Sequence, residues 1–372
     1  MRRYNFLIIS VFLSLAYFPS SVFGETVILK SGKRVEGKIL EKTDKYVKVD
    51  FRGVILTWRH DEIEHIEPED NAILPKMRFG FAPGDEPSET EPWAGFGPPF
   101  SLSNQKSFLW KVKSGLGKVY LLGSIHVAKS NLYPLDKKIE DAFSASDVLV
   151  TELNLISPGL DATLRFMEKG IYPAGKTLDR VLSSETMDLI KIKTKNLGMD
   201  FAEVNTYKPW FLALQLMGLE LVRMGFNPDY GIDMHFLKKA EGNKETLELE
   251  TFEYQLGLFE SLTDKEQELF LLSTLQDLDL LASEVDKMTK IWKVGDTAAM
   301  EAMLDRALSK NPETGSMYEK MIFERNKNMV LGIERLLLSG KSAFVIVGSA
   351  HLIGSRGIVE KLREKGCSVE QL

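Results

Sequence analysis

The chain has 372 residues, 44% of them apolar and 27% charged, with a formal net charge of −6. That length accommodates one large domain with a sizeable core and an accessory one, and the acidic balance excludes a generic nucleic-acid binder, which carries a basic face. A single cysteine, Cys367, excludes an internal disulfide, so apolar burial has to hold the chain together.

Arg2 and Arg3 precede an apolar stretch from Phe6 to Phe18 that only Ser10 and Ser14 interrupt. Small residues in "PSSVFG" then offer a cut after Gly24. Residues 1–24 therefore read as a secretory signal peptide, too short for a comfortable membrane span, with an uncleaved anchor as the alternative. No cysteine follows the run to carry a bacterial-type lipid. The mature chain is expected to be exported, periplasmic or secreted, with no integral membrane span after signal removal.

Residues 25–66 alternate apolar and polar side chains, punctuated at Ser31-Gly32, Thr43-Asp44 and Arg52-Gly53. About five short strands closing into a small SH3-like or Sm-like β-barrel are expected. This module is assigned binding or packing and no chemistry; its His60 and His65, five apart, have no convincing metal spacing. Residues 67–105 hold seven of the fourteen prolines and read as a Pro/Gly-rich linker. Its aromatics, among them Phe79, Phe81, Trp93, Phe96 and Phe100, are too many for a free tether.

From residue 106 to 372 the pattern is α/β (α+β), a central β-sheet covered by helices with large helical insertions. "KSFLWKVKS" and "GKVYLLGS" predict a hairpin turned at Gly115-Leu-Gly117, and "DVLVTELN" a buried strand. Helices follow from about Pro158 to Ala240, where the spacing of Tyr207, Trp210, Phe211 and Met217 is that of a core-facing helix. "KETLELET" is a further strand, and helices run on to about Leu338. "SAFVIVGSAH" is a strand, "SRGIVEKLREKG" a helix and "CSVEQL" a last short strand.

Four of these strands end in a residue of catalytic type: His126, Glu152, Glu250 and His351. In open α/β sheets, sites form beyond the carboxyl ends of the strands. If the four strands are parallel neighbours, two imidazoles and two carboxylates converge. His126 and His351 share the frame Gly-Ser-x-His, in which Gly123 and Gly348 permit a tight turn and close backbone approach. Two neutral histidines and a carboxylate suit a divalent transition metal with an open position for water. Without a metal, the same groups support general acid–base hydrolysis. Taken singly, such a His is more often a structural hydrogen-bonder than a ligand, and each Glu could cap the helix that follows. Neither H-E-x-x-H, C-x-x-C pairs, G-x-S-x-G nor a P-loop is present. His235, in "YGIDMHFLKKA", reads as half-buried on an amphipathic helix. Arg325 and Asn326, in "FERNKNMVLGIERLLL", read as solvated polar residues, or, for an inward Arg325, as an oxyanion partner.

The ordered series "VYLLGSIHV", "DVLVTELN", "YKPWFLALQL", "YGIDMHFLKKA", "LELETFEYQLGLFESL", "WKVGD", "ERNKNM" and "AFVIVGSAHLIGSRGIVEKLREKGCSVEQL" resembles the TraB/PrgY/GumN family, which includes the Tiki proteases. The resemblance covers nearly all of the chain beyond the linker. It implies a metal-dependent hydrolase of the metallopeptidase type acting on a peptide or protein substrate. His126, Glu152 and His351 would be the metal ligands, and the ion manganese or cobalt, with zinc also open. Erythromycin esterases and a haem-binding ChaN-like group are thought to share the fold, so a metal-free esterase-like hydrolase or a non-catalytic peptide-binding protein stays open beside the peptidase. Residue chemistry adds Glu250 as a proton relay and Arg325 as an oxyanion partner.

Overall fold

A computed structural model of the chain describes residues 25–30, 34–43, 45–51, 54–67, 106–115, 117–156, 159–310 and 312–372. The signal peptide expected over 1–24 lies outside these residues. So do the linker expected over 67–105 (except Glu67, the last strand residue of its module), both residues of the turns at 31–32 and 52–53, and Asp44, Leu116 and Pro158. The chain divides into two compact units, each taken by itself below.

The first unit holds five antiparallel strands: β1 (Glu25–Leu29), β2 (Arg34–Lys42), β3 (Tyr46–Phe51), β4 (Val54–Arg59) and β5 (Ile63–Glu67). Their order is β4-β3-β2-β1-β5, so the meander curls and the last strand returns to the free edge of the first. A register shift between Ile39 and Glu41 gives β2 the bulge that such curling needs. Alternation brings Val27, Leu29, Val47, Val49 and Ile63 into one small core. His60 donates from Nε2 to the Thr43 carbonyl at 2.7 Å, a turn contact.

The second unit is built on a six-stranded sheet: β6 (Leu109–Ser114), β7 (Gly117–Ser124), β8 (Val148–Thr151), β9 (Glu245–Glu248), β10 (Ser342–Gly348) and β11 (Ser368–Gln371). The order is β11-β6-β7-β10-β8-β9. β6 and β7 form the expected hairpin, while β7, β10, β8 and β9 are mutually parallel neighbours. The four strands singled out by their polar ends thus lie side by side with the same polarity.

The helices that bear on the site are α1 (Lys137–Ser144), α2 (Pro209–Arg223), α3 (Ile232–Ala240), α4 (Phe252–Glu260), α5 (Asp264–Asp277), α6 (Glu324–Leu338) and the single turn α7 (Ser349–Leu352). Strand alternation sorts them to two faces. Phe344 on β10 meets Phe143 of α1 at 5.5 Å and Phe236 of α3 at 5.0 Å between ring centroids, which defines one face. Gly117 on β7 points to the other, where an added Cβ would strike the Leu337 carbonyl of α6 at 1.9 Å. Trp210, Phe211 and Met217 of α2 are core residues, with Trp210 stacked on Phe259 of α4 at 5.0 Å. Among the described residues, no helix is long and apolar enough to cross a membrane.

The segment leading into α6 is anchored from α5. Thr263 caps α5 and Glu266 closes the reciprocal capping box, its Oε2 accepting from the Thr263 amide at 2.8 Å. The same carboxylate accepts from Lys320 Nζ at 2.9 Å and Ser316 Oγ at 2.8 Å. Partial burial alone would raise the Glu266 pKa; the hydrogen bonds from Thr263, Lys320 and Ser316 outweigh it and bring it down to about 2. A depressed carboxylate contributes stability above its unfolded value, near 4.5, and loses it as pH falls towards 2. Glu266→Gln is therefore expected to cost about 1–3 kcal/mol at neutral pH. In urea titrations the gap to wild type should close between pH 4.5 and 2; a gap independent of pH would mean that the carboxylate charge is not what holds this corner.

Candidate active site

The parallel strands bring His126, Glu152 and His351 to one point, beside Gly348. A Cβ built on Gly348 would lie 3.4 Å from His126 Nε2, 3.4 Å from Glu152 Oε1 and 3.5 Å from His351 Cδ2. The backbone there has φ −52° and ψ 138°, which any residue adopts. Glycine is thus needed for the space it leaves, not for the tight turn that the sequence suggests. Gly123 serves packing in the same way, since a Cβ would reach Phe108 Cδ1 at 2.5 Å.

Each imidazole is oriented by its Nδ1. His126 follows β7 by two residues and donates from Nδ1 to Asp233 Oδ2 of α3 at 2.7 Å. His351, on α7 just after β10, donates from Nδ1 to Asn326 Oδ1 of α6 at 2.6 Å. The Asn326 amide nitrogen donates to the Arg356 carbonyl at 2.9 Å, which fixes the amide's orientation. With both Nδ1 atoms committed, the lone pairs sit on Nε2, and both Nε2 atoms are buried without a hydrogen-bond partner. Such an acceptor on the far nitrogen is the usual companion of a metal-ligating histidine. The two Gly-Ser-x-His segments also touch directly: Ser349 Oγ donates to the Ser124 carbonyl at 2.9 Å.

Among the described residues, Glu152 caps no helix. Its Oε1 accepts from the Gly348 amide at 2.5 Å and lies 3.8 Å from His351 Nε2, and its Oε2 accepts from Arg325 at 2.5 Å. Arg325 is fully buried and far from a solvated role. It donates from Nε to both Glu250 oxygens at 2.9 and 3.0 Å, from a terminal nitrogen to Glu250 Oε2 at 2.7 Å, and from the other to the Met321 carbonyl at 3.1 Å. Met321 lies in a π-helical turn, Glu319–Phe323, that precedes α6. Arg325 is thus a clamp between two glutamates, and an oxyanion contact would require it to release one. Glu250 also accepts from Gln255 Nε2 at 2.9 Å. The structure brings Glu250 to Arg325 and Gln255; the hydrogen bonds described for it do not run to either imidazole. His235 stands apart, half-buried, donating from Nε2 to Glu140 Oε1 at 3.0 Å.

Burial sets the electrostatics. It would lower the His126 pKa, but the charge and hydrogen bond of Asp233, with the charge of Glu152, outweigh it and the net shift is upward. His351 has no carboxylate on its Nδ1. Burial, Arg325 and His126 hold its pKa well below the ordinary value, so it stays neutral. Burial raises the Glu152 pKa, against Arg325, His126 and the Gly348 amide. Burial would lower the Arg325 pKa, but the two glutamates push it upward instead.

With both imidazoles neutral, buried Asp233, Glu152 and Glu250 face one buried guanidinium. Buried charge left uncompensated is costly, so the cluster favours taking up a proton or a cation. The two bare Nε2 atoms and the excess carboxylate fit a divalent transition ion in donor chemistry. Among the described residues, however, no group of three His, Cys, Asp or Glu is gathered at ligating geometry.

Asp233 is not singled out by the sequence, and Asn326, expected to be solvated, is fully buried. A signal for each was available. Asp233 belongs to the buried stripe Ile232, Phe236, Leu237 and Ala240 of α3, and Asn326 to the stripe Val330, Ile333 and Leu337 of α6. A polar residue inside an apolar stripe needs a buried partner.

A model described as the TraB/PrgY/gumN family matches residues 108–371. The uncharacterized protein YbaP of Escherichia coli (strain K12) is 24% identical over 246 residues, covering 66% of this chain and 87% of its own. An uncharacterized protein of Treponema pallidum (strain Nichols) is 23% identical over 283 residues, covering 72% and 83%. A protein named metalloprotease TIKI homolog, from Amphimedon queenslandica, is 22% identical over 319 residues, covering 73% and 62%. No solved structure matches the chain.

Proposed function

Because the chain belongs to the TraB/PrgY/gumN family, we infer that it is a hydrolase, and more narrowly a metal-dependent peptidase acting outside the cytoplasm on peptide or protein chains. The observation that carries this reading is the pair of bare, buried Nε2 atoms that meet Glu152 over Gly348. The metalloprotease named among its relatives supports it. His126 and His351 would hold the ion, with Glu152 Oε1 as the third ligand; manganese, cobalt or zinc suits nitrogen and carboxylate donors. Such an ion would supply Lewis acidity at the strand tips.

The chain's own residues supply the rest. Asp233 and Asn326 fix the two imidazole rings and keep their Nε2 lone pairs inward. Arg325 holds Glu152 and Glu250 at fixed positions and offsets part of their charge. The near-complete burial of the cluster excludes bulk water, which strengthens each of these interactions. Glu250, next to the clamp, is kept as the proton-relay candidate.

The test is metal analysis of the full chain, purified without a histidine tag, beside His126→Ala and His351→Ala. Stoichiometric manganese or cobalt in the wild type, lost in both variants, is expected. Peptide cleavage should fall by about a hundredfold or more in each variant. Failure of the folded wild type to take up metal under any loading condition would remove the metal mechanism.

One observation favours a second reading. The Nδ1–Asp233 hydrogen bond is the arrangement that makes a histidine a general base, and the upward shift of His126 accompanies it. On that reading the protein is a metal-free hydrolase whose activity survives chelation and depends on Asp233.

A further inference from the structure

The two imidazole nitrogens are not the only bare polar atoms at the strand tips. Ser124 Oγ and Thr151 Oγ1 are also buried and without a hydrogen-bond partner. The register locates both. Ser124 on β7 is directly opposite Gly348 on β10, and Thr151 on β8 is opposite Ile346. Directly paired residues of neighbouring strands project to the same face, about 4.8 Å apart. Ser124 therefore presents its hydroxyl on the face that Gly348 leaves open, next to the space bounded by His126 Nε2 and His351. Thr151 shares that face two paired positions further from the tips.

An unpartnered buried hydroxyl is costly unless a polar guest satisfies it. Here Ser124 Oγ and the two Nε2 are all bare, and Ser124 is paired with Gly348, a position without a side chain whose open space His126 Nε2 and the His351 ring border. A water molecule can satisfy all three, because its two protons serve the two imidazole nitrogens and its oxygen accepts from the serine hydroxyl. Backbone links hold the geometry rigid: Ser349 Oγ ties its own turn to the Ser124 carbonyl, and Trp292 Nε1 donates to the Gly123 carbonyl at 2.6 Å.

We propose that the space over Gly348 is a binding site for one water molecule and that the Ser124 hydroxyl is its positioning residue. The serine donates to the water oxygen, which leaves both water protons for the imidazole nitrogens and fixes the water's orientation. The water site stands on geometry alone; that its water is the one consumed in hydrolysis rests on the metal-free hydrolase reading given above, in which no ion takes the two Nε2 lone pairs.

The deciding experiment is a high-resolution crystal structure of the full chain, wild type and Ser124→Ala, grown with and without manganese. Peptide-cleavage kinetics would be measured on the same proteins and on Ser124→Thr. The proposal expects a water oxygen within about 3.2 Å of Ser124 Oγ and near an imidazole Nε2, absent in Ser124→Ala. It also expects kcat to fall about tenfold to a hundredfold in Ser124→Ala, with KM within about twofold, and to recover in Ser124→Thr. A Ser124 hydroxyl turned onto a backbone carbonyl, with no solvent beside it, overturns the site. Wild-type kcat in Ser124→Ala overturns the positioning role. Water in place with no turnover by the wild type upholds the site and removes the hydrolase reading instead.

Discussion

Gly348→Ala is expected to leave the protein folded and abolish its chemistry. The backbone at φ −52° and ψ 138° accepts alanine without strain. Such a replacement also lowers the entropy of the unfolded chain, a gain of about 0.4–1 kcal/mol. The new methyl would touch Glu152 Oε1, His126 Nε2 and His351 Cδ2 at 3.4, 3.4 and 3.5 Å, which is ordinary contact with side-chain atoms. The melting temperature should therefore stay within about 3 °C of wild type. The methyl does fill the space that His126 Nε2, Glu152 Oε1 and the His351 ring border. An ion, a water or a carbonyl oxygen would be displaced by more than an ångström, and cleavage should drop by about a hundredfold or more. Metal uptake should fall with it if the ion sits there. A folded Gly348→Ala protein that cleaves at the wild-type rate would show that the chemistry lies elsewhere.

Arg325→Met should do the opposite and fail by instability. Arg325 is the buried cation between Glu152 and Glu250. Removing one member of a buried charge cluster typically costs about 3–5 kcal/mol, because the partners are left uncompensated. The pH dependence has a definite sign. Burial already raises the Glu152 pKa above 4.5, with Arg325 the leading influence against it, so the variant raises it further. A raised carboxylate is stabilising in its protonated form below the unfolded value and loses that contribution as pH rises through its folded value. The gap between variant and wild type should accordingly be widest at neutral pH and narrow towards pH 4.5. Chemical denaturation at both pH values reads this directly, and adding Glu250→Gln should recover part of the loss. An unchanged denaturation midpoint for Arg325→Met would mean that Arg325 is not the structural clamp, and would return it to the role of an oxyanion partner.

Much of the site was legible because strand ends are local features. Apolar runs stop where side chains leave the core, so "VYLLGSIH", "VLVTE", "LELE" and "FVIVGSAH" each marked their polar tip. The helical partners were harder to read. Arg325 and Asn326 head a helix whose solvent face is rich in charge, and they looked like part of it. Their place in the apolar stripe of α6 puts them inside. Asp233 was hidden in the same way at the start of α3, next to the more conspicuous His235.

The sequence by itself determined which residues stand at the strand tips, which helical faces are buried, and the family to which residues 108–371 belong. These follow from alternation, helical periodicity and motif order, all of which neighbours along the chain express. Only the tertiary structure decided that β10 inserts between β7 and β8, that Ser124 faces Gly348 across the sheet, and that both imidazoles spend Nδ1 on helices and leave Nε2 bare. Strand order and hydrogen-bond partners depend on contacts between residues far apart in the chain, 225 positions for Ser349 and Ser124 and 264 for Gln371 and Ser107. Those contacts are selected by burial of the whole sheet, a quantity that no stretch of sequence contains by itself.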